Sequence, residues 1–162
     1  MVQKILIVGE QDFSVIPQET LKTFALGSCL GIILLDPVVR AVGMLHAALP
    51  DSNLNPAKAA QKPGYFVDTG ICYLLKLMSQ EGCPPDGAGM LAKMAGGAAV
   101  LGQADLFNVG QRNIESARAL LSRKGIKIIS EDVGKHLSRT MAVNVGSAKV
   151  VLSSPGCDNW MI

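Results

Sequence analysis

The sequence predicts an α+β fold, a layered α/β sandwich whose core is a mostly antiparallel or mixed sheet with helices packed outside. Three observations carry this. Short apolar runs, many of them β-branched, crowd both ends of the chain and are separated by Gly, Pro and polar turn residues. Two intervening stretches carry their apolar residues at helical spacing instead. Strands in runs with two separated helices fit such layering better than a regular βαβ winding. At 162 residues the chain can bury one sizeable core, and two halves would each be thin, so a single domain over 1–162 is expected.

Taken in order, Lys4 to Val8 is a β-branched run that reads as a strand. Leu21 to Leu26, Cys29 to Leu35 and Ala41 to Leu49 follow, divided by Gly27-Ser28 and by Pro37 to Arg40, and together suggest a meander of hairpins. Asp51 to Gly64 is polar, has two prolines and no apolar period, and reads as a loop. From Phe66 the period changes: Val67, Ile71, Leu74, Leu75 and Met78 lie on one face of a helix that Gly82 and Pro84 end. Residues 87–102 read as a strand of small residues. Asn113 is then expected to cap a helix with Ile114, Ala117, Leu120 and Leu121 inward and Gly125 at its end. Ile126 to Ser130, Thr140 to Val145 and Lys149 to Leu152 are three closing strands.

Composition excludes several functional classes. An apolar share of 49% against 17% charged residues describes a folded core rather than a solvating chain. The most apolar stretch, Cys29 to Leu35, falls well short of the roughly 18 residues of a bilayer span, and the N-terminus lacks the apolar region of a secretory signal. A net charge of +2 with scattered Lys and Arg argues against a nucleic-acid partner. The four cysteines, Cys29, Cys72, Cys83 and Cys157, form no C-x-x-C pair, so no zinc signature arises, and reduced thiols in the cytoplasm are the economical reading.

Cys29 is the residue whose setting asks for chemistry. A free cysteine most often packs as a small hydrophobe. A thiol with a pKa of roughly 8.5 becomes a nucleophile at neutral pH only beside an imidazole or a positive dipole. Hairpin arithmetic offers the imidazole. If Pro37 to Arg40 form a four-residue loop, Asp36 faces Ala41, Cys29 comes opposite Ala48, and His46 shares the thiol's face of the sheet. A two-residue loop would also pair them; a three-residue loop would part them. Thr23 could orient the imidazole through its hydroxyl. With a two-residue turn at Gly27-Ser28, however, Thr23 would point to the face opposite Cys29, so the bend must rotate the thiol or shift the register. The same bend could let backbone amides near Gly27, Ser28 and Cys29 converge on an oxyanion.

Two glycine patterns compete for attention. Gly87-Ala88-Gly89 with Ala92 matches a loose dinucleotide fingerprint, but it follows "CPPD" rather than a strand. Gly96-Gly97 reads as a bulge or close backbone contact. The tail "PGCDNWMI" either packs on the domain or serves a partner.

Six ordered motifs resemble the CheD family, the chemoreceptor glutamine deamidases. They are T-x-x-L-G-S-C at Thr23 to Cys29, H-x-x-L-P at His46 to Pro50, Y-x-x-D at Tyr65 to Asp68, A-K-x-x-G-G-A at Ala92 to Ala98, G-x-R-N at Gly110 to Asn113, and G-I-x-I-x-x-E-D-x-G at Gly125 to Gly134. The resemblance implies a cytoplasmic sandwich hydrolase that acts on glutamine side chains of receptor signalling helices. It makes Cys29 the nucleophile, His46 the acid/base and Thr23 the orienting member. It also implies a CheC-like phosphatase as partner, and no metal or organic cofactor. The chain differs from the family pattern at Thr69-Gly70, at Gly134-Lys135 with Leu137 and Arg139, and at Ser147-Ala148, positions that bear on partner and receptor choice. A regulatory binding module for CheC or receptors, and another thiol amidohydrolase or transglutaminase-like enzyme, are the competing expectations.

Overall fold

The computed structural model describes residues 2–100 and 107–162. Among them the strands are β1 (Val2–Leu6), β2 (Gln11–Ser14), β3 (Glu19–Leu26), β4 (Leu30–Asp36), β5 (Ala41–Ala47), β6 (Leu91–Gly96), β7 (Lys127–Val133), β8 (Arg139–Asn144), β9 (Val150–Ser153) and β10 (Trp160–Met161). The α-helices are α1 (Pro56–Gln61), α2 (Val67–Ser79) and α3 (Val109–Arg123). The strands form two mixed five-stranded sheets, ordered β1-β3-β8-β9-β10 and β2-β5-β4-β6-β7. Pairings are antiparallel except β1 with β3 and β6 with β7.

Side-chain alternation along β4 and β5 explains the layering. Leu30, Ile32 and Leu34 of β4, with Leu45 and Ala47 of β5, point to one face and pack against Ile71, Leu74 and Met78 of α2 and Ile114, Ala117 and Leu121 of α3. Ile33, Leu35, Val42 and Met44 point to the other face and meet Leu21, Leu26, Met141, Val143 and Leu152 of the first sheet. The order of layers is therefore sheet, sheet, helices. Covered on both faces, β4 is apolar from Leu30 to Leu35, which is why its sequence shows a continuous run rather than an alternation. Each Leu or Ile so enclosed contributes roughly 1.5–3 kcal/mol.

The α+β sandwich and both long helices match expectation, and several details differ. Gly27-Ser28 is not a hairpin turn: β3 and β4 belong to different sheets, and the bend carries the chain from one to the other. A bulge between Thr23 and Leu26 interrupts the β3–β8 register, with Ala25 at φ 57. It returns Leu26 to the core and leaves Phe24 and Ala25 exposed. The polar stretch from Asp51 holds two 3-10 turns, Ser52–Leu54 and Pro63–Tyr65, around α1, whose cap Asn55 accepts from the Lys58 amide. The small-residue strand is limited to Leu91–Gly96, and Leu101 and Gly102 of the expected run lie outside the described residues. α3 starts earlier than expected, with Asn108 as its cap and Asn113 a full turn inside. Gly125, at φ 69, lies just past its end as expected. The tail packs on the domain: β10 pairs with β9, and the Trp160 indole donates to Asp132 Oδ2 at 2.6 Å.

Candidate active site

Cys29 and His46 both point into the space between the sheets. The β4–β5 ladder runs from Asp36 opposite Ala41 to Leu30 opposite Ala47, with Gly31 opposite His46, the register a four-residue loop dictates. Two residues back from Gly31, Cys29 therefore leaves the sheet on the His46 side. Across the gap, Leu21 and Thr23 line the inner face of β3. The switch of sheets at Gly27-Ser28 resolves the orientation that a hairpin would have spoiled: Thr23 faces the imidazole from the opposite sheet.

The hydrogen bonds fix the imidazole's tautomer. Thr23 Oγ1 donates its single proton to the Leu6 carbonyl at 2.9 Å and lies 2.6 Å from His46 Nδ1. A hydroxyl whose proton is committed can only accept, so Nδ1 carries the hydrogen and Nε2 keeps its lone pair. Nε2 is buried and has no hydrogen-bond partner among the described residues. The backbone of His46 is also held, its carbonyl accepting from the Gly9 amide at 2.7 Å and its N–H donating to the Glu10 carbonyl at 3.0 Å. Burial drives the imidazole pKa down to about 4, against a smaller opposing pull from the Glu10 carboxylate. Burial also raises the Cys29 thiol, offset in part by its own backbone N–H. At neutral pH the pair rests as thiol and neutral imidazole.

The bend carrying Cys29 is tied down from three sides. The Gly97 amide donates to the Cys29 carbonyl and the Ala98 amide to that of Gly27, each at 2.8 Å. Gly96, at φ 108, comes so close that a Cβ there would stand 2.3 Å from the Cys29 carbonyl oxygen, a position only glycine can hold. The Asn113 side chain reaches in from α3, donating to the Ser28 carbonyl at 2.9 Å and the Ala48 carbonyl at 3.0 Å. Of the amides expected at an oxyanion site, that of Gly27 is already given to the Ala25 carbonyl at 3.0 Å, because the bulge folds the chain back on itself there. Gly27 thus shapes the bend instead of offering a free donor. The amides of Ser28 and Cys29 remain the candidates.

Cys29 and His46 share the wall of a cavity of about 390 Å³ with Ile7, Val8, Phe24 and Ala25. A larger cavity of about 600 Å³, beside Glu10, Asp12, Lys62 and Tyr73, includes neither. Among the described residues no group of three or more His, Cys, Asp or Glu side chains could hold a metal, and no helix is long and apolar enough to cross a membrane. Gly87 and Gly89 sit in the turn before β6 and touch no part of the cavity.

Residues 48–154 match the family model described as CheD chemotactic sensory transduction. The chain belongs to the CheD family. The curated CheD relatives extend the match to nearly the whole chain. The chain is 44% identical over 158 residues to a protein of Syntrophotalea carbinolica named probable chemoreceptor glutamine deamidase CheD, covering 98% of each. It is 39% identical over 153 residues to probable chemoreceptor glutamine deamidase CheD 1 of Syntrophus aciditrophicus, covering 93% of this chain and 94% of the relative. A third CheD relative so named, from Solibacter usitatus, is 37% identical over 153 residues, covering 93% of this chain and 89% of its own. Among solved structures, a Neisseria meningitidis protein of the DUF152 family model covers 78% of this chain, and this chain 54% of it, at 13% identity and TM-score 0.43.

Sequence reasoning overlooked the Leu6 carbonyl as the acceptor that sets the tautomer, and it read Asn113 as a helix cap. A polar residue on the inward stripe of a helix, beside Ile114 and in line with Gly110 and Ala117, was the available signal.

Proposed function

We propose that this protein hydrolyses the side-chain amide of selected glutamines on the cytoplasmic helices of chemoreceptors, yielding glutamate and ammonia, with Cys29 as nucleophile. The observation that carries the reading is the Thr23–His46 contact, which leaves an unprotonated, unpartnered Nε2 in a cavity wall shared with the thiol. The names of the full-length relatives supply the substrate class.

Because thiol and imidazole are both neutral at rest, the proton moves during attack rather than before it. His46 Nε2 takes the thiol proton as Sγ bonds the carboxamide carbon, and the carbonyl electron pair moves onto oxygen. The amides of Ser28 and Cys29 hold that oxyanion. Collapse breaks the C–N bond, His46 protonates the departing ammonia, and a thioester to Cys29 remains. Water then gives one proton to Nε2 and adds to the thioester carbon. Breaking the C–S bond returns that proton to sulfur and frees the glutamate side chain. Apolar Ile7, Val8 and Phe24 suit the methylene stem of glutamine. A CheC-like phosphatase remains a partner that this reading accommodates without requiring.

Ammonia release from a receptor cytoplasmic fragment tests the reading. Cys29→Ala and His46→Ala should both abolish it while leaving the thermal melt of the domain cooperative. Release from Cys29→Ala at the wild-type rate would remove the thiol from the chemistry.

A further inference from the structure

Asn113 lies on the inward stripe of α3 and is fully buried. An asparagine inside a helix is worse than alanine there, and a buried carboxamide costs free energy unless it is bonded. Both N–H groups of its Nδ2 are used, on the carbonyls of Ser28 and Ala48. Since both partners are acceptors, the amide can face them only through nitrogen. Its Oδ1, by contrast, is buried with no partner among the described residues, an arrangement that stability alone does not favour.

What the two carbonyls have in common is their place in the register. The β4–β5 ladder ends at Leu30 opposite Ala47. Beyond it one chain turns into the bend bearing Cys29 and the other leaves His46 toward Pro50. Asn113 takes hold of both chains there, one residue before the thiol and two after the imidazole, and so adds a rung where backbone pairing stops. The helix delivering it is seated against the same bend: a Cβ on Gly110 would stand 2.5 Å from the Gly97 carbonyl oxygen, and Gly97 itself donates to Cys29.

Building on the deamidase reading, we propose that Asn113 is a positioning residue, whose carboxamide holds the Cys29 bend and the His46 strand at the separation that proton transfer requires. It touches neither substrate nor the reacting atoms.

The test uses the full chain with Asn113→Asp and Asn113→Ala, following kcat and KM on a receptor fragment, iodoacetamide labelling of Cys29 against the exposed Cys72 and Cys157, and thermal melts. Asn113→Asp keeps the shape but turns a carboxylate toward two carbonyls; protonated, it can donate to one of them. At pH 8 its kcat should fall by about tenfold or more with KM within about twofold, because misplacement of reacting groups acts on kcat. As pH is lowered toward 5 its activity, as a fraction of wild type, should recover. Cys29 labelling should slow in the same pH-dependent way, while Cys72 and Cys157 label as in wild type. A folded Asn113→Ala with wild-type kcat and labelling, or an Asn113→Asp with a wild-type pH profile, would overturn the proposal. If Asn113→Ala does not fold, the Asn113→Asp profile decides. If wild type itself releases no ammonia, the deamidase reading has failed, and the labelling comparison still judges the clamp.

Discussion

Thr23 and His46 meet across two sheets: the hydroxyl, its proton given to the Leu6 carbonyl, stands 2.6 Å from Nδ1 and accepts the imidazole's only hydrogen. This contact leaves Nε2 as the nitrogen with a free lone pair, the one that the proposed reaction uses as base. Thr23→Val keeps the volume but strands both Nδ1–H and the Leu6 carbonyl in the core, at about 1–3 kcal/mol for each buried group left unpaired. Urea unfolding should register that loss. Steady-state kinetics should show kcat falling more than KM changes, and Thr23→Ser should restore most of both. A Thr23→Val enzyme with wild-type kcat would detach the hydroxyl from the imidazole's role.

The depressed pKa of His46 makes stability depend on pH. The imidazole pKa is about 4 in the folded protein against 6.5 when unperturbed, so between those values the unfolded chain binds more protons than the folded one. The stabilisation is thus complete above pH 6.5 and is lost as pH falls toward 4. A gap of this size corresponds to about 3 kcal/mol. Denaturant midpoints measured from pH 7 to pH 4 should decline in the wild type and decline less in His46→Gln, whose side chain does not titrate. Equal slopes would place the titration elsewhere.

A buried charge lies on β8 beside the Cys29 bend, where Arg139 is the strand partner of Leu26. The Arg139 side chain is wholly buried and pairs with Asp132 Oδ1 at 2.9 Å, while Trp160 binds the same carboxylate. Burial pushes the Asp132 carboxyl up, but the bonds from Arg139, Trp160 and Lys135 outweigh it and hold it below the usual range. Removing one partner of a buried pair typically costs about 3–5 kcal/mol, because the other is left charged in the core. Asp132→Ala should show a loss of this order, and the fluorescence of Trp160, the single tryptophan, should shift to the red as the tail loosens. Unchanged emission with unchanged stability would mean that the tail is held by β10 pairing alone.

The sequence placed Cys29 and His46 on one face of the sheet for two of the three loop lengths it allowed, and the four-residue turn Pro37 to Arg40 is one of those two. It misplaced Thr23 because Gly27-Ser28 looks the same whether it closes a hairpin or carries the chain between sheets. A continuous apolar strand such as β4, covered on both faces, does not reveal which strands flank it. β2 was illegible for a different reason. Gln11, Asp12 and Ser14 lack strand character, and what holds them is backbone pairing to β5, in which side chains take no part. Asn113 was misread because the residue that caps a helix end can also donate from its interior, and only the carbonyls of Ser28 and Ala48 reveal which it does.

The measurement that bears most directly on the central claim is peptide-mapping mass spectrometry of a chemoreceptor cytoplasmic fragment incubated with wild type and with Cys29→Ser. The account predicts that wild type converts particular glutamines to glutamate and that Cys29→Ser, folded to the same melt, leaves them as glutamine. Conversion of the same glutamines at the same rate by Cys29→Ser would contradict it.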